Sequence, residues 1–134
     1  MNNQCFTFPV RVYYEDTDAG VVVYHARYLH FFERARTEYL RTLNFSQQSL
    51  LQEQQVAFVV KTMSIDYCIP AKLDDYLIVE TEITAVKGAT ILFEQRLVRE
   101  TVVLSKATVK VACVDLGKMK PVAIPEELKA AFLK

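Results

Sequence analysis

One stretch with a helical period, set among segments that read as strands, constrains the fold of this chain more than any other feature. From about Ala26, the residues Tyr28, Phe31, Phe32, Ala35, Tyr39, Leu40 and Leu43 recur at spacings of three and four. Arg27, Arg34, Glu38 and Arg41 fall between them. The spacing predicts a helix of about four to five turns. Asn44 suits its C-terminal cap, and Ser46 opens a short second helical turn through Glu53. Upstream, Phe6, Phe8, Val10 and Val12 alternate with Thr7, Pro9, Arg11 and Tyr13, a strand period in which Pro9 points to a sheet edge or a bulge. After Gln55 the chain reads as strands over 57–67, 76–86, 91–98 and 102–114. In the second of these, Leu77, Val79, Thr81, Ile83 and Ala85 are predicted to share a face. Short connections imply an antiparallel meander. Pro125-Glu126-Glu127 opens a short terminal helix. A lone helix with aromatic residues on most sides needs a curved antiparallel sheet around it, so the expected class is α+β.

A chain of 134 residues suits one domain, expected to span 1–134. Apolar residues make up 51% and charged ones 24%, a folded composition. Sixteen basic residues balance sixteen acidic ones, which argues against bulk binding to nucleic acid or anionic membranes. No apolar run approaches the roughly 20 residues of a membrane span. The first five residues lack a charged leader and an apolar stretch, so no signal peptide is expected and the cytoplasm is the expected compartment. Cys5, Cys68 and Cys113 are odd in number and far apart. They read as reduced thiols in strand-like segments, where burial is the expected role, rather than as a disulfide framework or a zinc site. The three glycines cannot form either nucleotide-binding fingerprint.

Candidate chemistry gathers between the first strand and the helix. Asp16, Asp18 and His25 sit there with Gly20, which lets a loop turn tightly beside a substrate. The first N–H groups of a helix are unpaired and partially positive, so the backbone near Tyr24, His25 and Ala26 could hold an oxyanion. Asp18, just upstream, could attack a carbonyl or activate water. A plainer reading stands beside this one: the aspartates are loop and cap residues, and His25 merely starts the helix. Glu33 could supply a second carboxylate or pair with nearby arginines. His25 and His30, five apart, do not share a helix face, and no metalloprotease or serine-hydrolase motif is present.

The run Arg11-Val-Tyr-Tyr-Glu-Asp-Thr-Asp-Ala-Gly20, continuing through Val-Tyr-His25 to Tyr28 and Phe32-Glu-Arg-Ala-Arg36, resembles a known signature. It is similar to the hot-dog-fold acyl-CoA thioesterases of the 4-hydroxybenzoyl-CoA thioesterase type, and within them to the branch associated with the Tol-Pal system. Phe58-Val59-Val60-Lys61, Tyr67, Pro70 to Asp75, Val111 to Asp115 and Lys120-Pro121 follow in family order. The family loop often carries a second glycine directly after the first, where this chain has Val21.

The resemblance implies a hot-dog fold, a five-stranded antiparallel sheet wrapped around one long helix. It implies hydrolysis of an acyl thioester, with short-chain acyl-CoA the expected substrate and acyl carrier protein an alternative thiol carrier. Asp18 would be the nucleophile or the general base, and the His25 backbone amide would polarise the carbonyl. Tyr24, Val59 and Val60 are the implied substrate-binding residues. No metal or other cofactor is expected, coenzyme A being part of the substrate. A homodimer or homotetramer with the cleft between subunits is implied, with no nucleic-acid partner. Two rivals share the fold: a hydratase or dehydratase that needs the His25 side chain, and a non-catalytic acyl-CoA-binding module indifferent to Asp18.

Overall fold

Helix α1 spans His25–Thr42, one residue earlier than the period predicts, in a computed structural model that describes residues 5–43, 52 and 55–132. Its buried stripe is Tyr28, Phe31, Phe32, Ala35 and Leu40, the apolar positions of the sequence pattern, together with Arg36. Phe31 and Phe32 are completely enclosed. Each such side chain contributes roughly 2–3 kcal/mol of burial free energy. The opposite face carries exposed Glu33 and Arg34 and a Glu38–Arg41 ion pair. The cap at Asn44 and the turn from Ser46 to Glu53 lie outside the described residues, Gln52 excepted.

The main strands are β1 (Phe6–Arg11), β4 (Val56–Tyr67), β5 (Tyr76–Lys87), β6 (Thr90–Arg99) and β7 (Val102–Asp115). They form one antiparallel sheet in the order β1-β5-β6-β7-β4, and β8 (Lys120–Pro121) pairs briefly with β7. A separate two-stranded ribbon joins β2 (Thr17–Asp18) to β3 (Val22–Val23). Pro9 lies on edge strand β1, as its missing N–H requires. Register shifts at Val60/Thr62, Ile83/Ala85 and Leu97/Val98 place a bulge or irregularity in three of the strand pairs. Bulges increase twist and bend a sheet, which suits one that must cover a helix. The helix packs mainly on β5 and β1. Helix α2 (Glu126–Phe132) closes the core with Leu128 and Phe132.

Three sequence expectations are corrected. Strands β5, β6 and β7 are a meander, but β4 pairs with β7 rather than with its neighbour in sequence, β5. The connection over residues 68–75 exceeds a hairpin loop and carries Pro70, so it crosses instead of turning back. The alternation of β5 holds from Leu77 to Ile83 and then breaks at the Ile83/Ala85 shift, which leaves Ala85 exposed and packs Val86 on the core. Of the cysteines only Cys113 is buried; Cys5 and Cys68 flank strand ends and are exposed. Among the described residues, no helix is long and apolar enough to cross a membrane.

Candidate active site

The segment between β1 and α1 is anchored before it reaches the candidate carboxylates. Val12 N–H donates to Asp75 O and Asp74 N–H to Val12 O, which ties the end of β1 to the start of β5. A single 3-10 turn follows over Tyr14–Asp16. The β2–β3 ribbon then reverses through Ala19 (φ 55°) and Gly20 (φ 75°). Gly20 is favoured by its left-handed φ, and a Cβ there would stand 2.9 Å from the ring of exposed Tyr14, which would have to shift. Val21 lies outside the positive-φ region, so the position does not demand glycine.

The two aspartates have separate roles. Asp16 is buried, with its Oδ2 accepting the Tyr13 N–H at 2.9 Å and its Oδ1 3.6 Å from Arg27 Nε. Its backbone oxygen accepts the Tyr24 N–H at 2.9 Å. Asp16 thereby joins the loop to the first turn of α1. Asp18 is exposed, and among the described residues no hydrogen bond or ion pair involves its carboxylate. It lines a cleft of about 360 Å³ with Thr17, Tyr24, Ala26, Arg27 and His30, Glu15 completing the rim.

Helix α1 has no side-chain cap at Tyr24. Arg27 N–H bonds to Tyr24 O at 2.9 Å, while the N–H groups of His25 and Ala26 have no partner among the described residues. Those donors carry the positive end of the helix dipole. The His25 carbonyl accepts the Tyr67 hydroxyl at 3.1 Å, and the His25 ring packs on Tyr24 and Tyr67, with ring centroids 4.5 and 6.3 Å away. Burial, with a smaller contribution from Tyr28, holds the Tyr67 phenol above its ordinary pKa and keeps it a donor. Tyr28 hydroxyl in turn accepts the Ala71 N–H at 3.0 Å, and Ala71 O accepts the Val23 N–H at 2.8 Å.

The arrangement thus brings Asp18, Tyr24 and Ala26 of the first helical turn to one cleft, whose lining does not include His25. Glu33 and Val60 instead line a second cavity, of about 260 Å³, between the middle of α1 and strands β4, β6 and β7. Val59 lines neither, since neighbouring strand residues face opposite sides. Sequence reasoning missed Arg27 and His30 in the cleft and Tyr67 as a brace. Ala26, Arg27 and His30 are related by i, i+3 and i+4 spacing, so one helix face could have found the first two. No cluster of three or more His, Cys, Asp or Glu side chains suited to a metal is present among the described residues.

A curved antiparallel sheet around one helix, with a carboxylate loop set against that helix's open N-terminus, defines a hot-dog fold of thioesterase type. Residues 12–132 match the thioesterase-like superfamily, and the chain belongs to it. The chain is 83% identical over 127 residues to the acyl-CoA thioesterase YbgC of Haemophilus influenzae, covering 95% of this chain and 93% of that one. It is 56% identical over 133 residues to the acyl-CoA thioester hydrolase YbgC of Escherichia coli O6:H1, covering 98% of both. Among solved structures, a probable thioesterase from Bartonella henselae matches with a TM-score of 0.86 at 38% identity, covering 91% of this chain and all of that one.

Proposed function

We propose that this chain hydrolyses acyl-CoA to a free acid and CoA, with Asp18 and the His25 N–H as the chemical groups. The observation that carries the reading is a cleft lined by Asp18, exposed and without a hydrogen bond or ion pair among the described residues, and by Tyr24 and Ala26, which flank His25 at the open start of the helix. The thioester carbonyl oxygen would accept the His25 N–H. That donor is worth most as negative charge develops, because the oxygen gains charge only when the carbonyl carbon is attacked. With Asp18 as base, its carboxylate takes a proton from water and the hydroxyl oxygen adds to the carbonyl carbon. Collapse breaks the C–S bond, and the thiolate recovers the proton. With Asp18 as nucleophile, an anhydride forms and CoA leaves before water cleaves the anhydride. Tyr24 on the cleft rim would contact the substrate.

The active form in this reading is a homodimer or a dimer of dimers. Strand β4 is the long free edge of the sheet, and Val59 and Val60 on it are exposed. An open edge of that length is a template for pairing with a second copy. One of these valines, the two facing opposite sides of the sheet, would then wall the acyl group from across the interface. Thiol release from acyl-CoAs of graded length, and from the matching acyl carrier protein thioesters, tests the reading. Hydrolysis in at least one series, abolished in Asp18→Asn, supports it. Binding of acyl-CoA with no turnover in any series sinks it in favour of a binding module.

A further inference from the structure

The carbonyl of His25 receives one donor more than a helix requires. A first-turn carbonyl accepts an N–H from the following turn. Here the Tyr67 hydroxyl donates to the same oxygen at 3.1 Å. A carbonyl oxygen has two lone pairs, so both bonds fit. The hydroxyl is held on its target. Tyr67 ends β4 opposite Ser105 of β7, and the next residue, Cys68, donates its N–H to Leu104 O at 2.9 Å. The Tyr67 ring stands edge-on to the buried Tyr28 ring at 5.0 Å and to the His25 ring at 6.3 Å. The bond adds little to the fold, since the strand end is already fastened by its own pairing and Tyr67 is 47% exposed.

Its chemical consequence lies on the neighbouring amide. The His25 oxygen and the Ala26 nitrogen belong to one peptide unit, whose C–N bond is conjugated. A donor on the oxygen draws electron density from the nitrogen and makes the Ala26 N–H more positive, as chains of hydrogen bonds polarise one another. The Ala26 N–H has no partner among the described residues. Ala26 lines the cleft with Asp18, whereas His25 does not. The His25 N–H belongs to the preceding peptide, whose carbonyl accepts the Arg27 N–H and receives no hydrogen bond from Tyr67. Of the two open donors, Tyr67 therefore strengthens the one whose residue shares the cleft with the carboxylate.

We propose that the Ala26 N–H is a second donor to the oxyanion that develops on the thioester, and that Tyr67 is the positioning residue that strengthens it through the His25 carbonyl. The inference rests on the thioesterase reading. The phenol keeps its proton throughout. Tyr67→Phe retains the ring contacts and deletes the donor. In the full isotope-labelled chain without substrate, NMR should show the Ala26 amide nitrogen moving upfield by more than that of His25. With an acyl-CoA that the unaltered chain hydrolyses, kcat should fall about threefold to tenfold while KM stays within about twofold and the urea midpoint changes little. A 3-fluorotyrosine at position 67 is a more acidic phenol and a stronger donor. It should restore kcat below its pKa and lose it above, where the phenolate has no proton to donate. Folded Ala26→Pro, which lacks the N–H, should lose at least as much as Tyr67→Phe and lose no more when the two are combined. The Tyr67 comparisons stand even where the proline variant fails to fold. On a chain that hydrolyses acyl-CoA, undiminished kcat or an unmoved Ala26 amide in Tyr67→Phe overturns the inference alone, and so does equal loss in the phenylalanine and fluorotyrosine forms. No turnover of any acyl-CoA by the unaltered chain overturns the thioesterase reading and this inference together.

Discussion

Converting each of the two loop carboxylates to its amide should produce opposite phenotypes, because Asp16 is buried and bonded whereas Asp18 is exposed on a cleft. Asp18→Asn removes charge from a side chain that is exposed and makes no hydrogen bond or ion pair among the described residues. Its effect on stability should fall within about 0.5 kcal/mol, the range of surface substitutions. Its effect on turnover should be at least about a hundredfold, roughly 3 kcal/mol of barrier, since the amide can neither attack nor take a proton. Asp16→Asn acts where the carboxylate is buried between Tyr13 N–H and Arg27. The amide oxygen can still accept the Tyr13 N–H, but the bond is no longer charge-assisted and the attraction to Arg27 is lost. Arg27 is partly exposed and 3.6 Å away, so its share is small. The two losses together should cost about 1–2 kcal/mol. Urea unfolding gives the stability arm, read as a lower midpoint at unchanged slope. Acyl-CoA hydrolysis gives the activity arm, and Asp16→Asn should lose less than Asp18→Asn. The reasoning fails if Asp18→Asn is destabilised by more than Asp16→Asn, or if folded Asp18→Asn turns over at near the unaltered rate.

Three further outcomes follow from the same geometry. His25→Ala should retain much of the activity and folded His25→Pro should lose it, because only proline removes the N–H; equal loss in both would revive the hydratase reading, which needs the imidazole. Gln95→Leu leaves Arg36 and Thr81 without their shared partner in the core and should lower urea-measured stability by about 2–4 kcal/mol, a value under 1 kcal/mol refuting the network's importance. Ala19→Gly relieves a left-handed alanine (φ 55°) and should be neutral or stabilise by up to about 1 kcal/mol in the same assay, whereas Gly20→Ala should destabilise.

What was legible in the sequence is what is local. The helix could be read from period alone because its buried stripe alternates cleanly with charges. Asp18 and the helix start could be placed together because only Ala19 to Tyr24 separate them from His25. The strand order could not be read, since the partner of β4 lies beyond two intervening strands and nothing in a local pattern chooses between β5 and β7. Arg36 was equally hidden. Its partner Gln95 is 59 residues away, and an arginine on a helix reads as surface unless a buried acceptor is known to face it. The break in β5 after Ile83 comes from a shift in pairing, which a strict two-residue alternation does not foresee.

The crossing that defeats the meander also builds the site. Residues 68–75 leave β4 with Cys68 and Ile69 N–H on Leu104 O, then pass the start of α1 on their way to β5. On that passage Ala71 N–H donates to Tyr28 hydroxyl, Ala71 O accepts Val23 N–H, and Val22 forms a bridge to Lys72. The connector is therefore bonded at once to the helix and to the ribbon that carries Asp18. Tyr28→Phe keeps the ring, which packs against Phe31 and Tyr67, and deletes only the acceptor. Ala71 is fully buried, so its N–H would be left without a partner at a cost of about 1–3 kcal/mol. The carboxylate and the helix donors would then lose one of the tethers that align them, the Asp16 contacts to Tyr24 and Arg27 remaining. Turnover of acyl-CoA should fall by more than the change in KM, because misalignment of groups that act on the transition state lowers kcat. Urea unfolding and steady-state hydrolysis measured on the same preparation decide the matter: lost stability with unchanged kcat would mean that Ala71 braces the core and does not position the site.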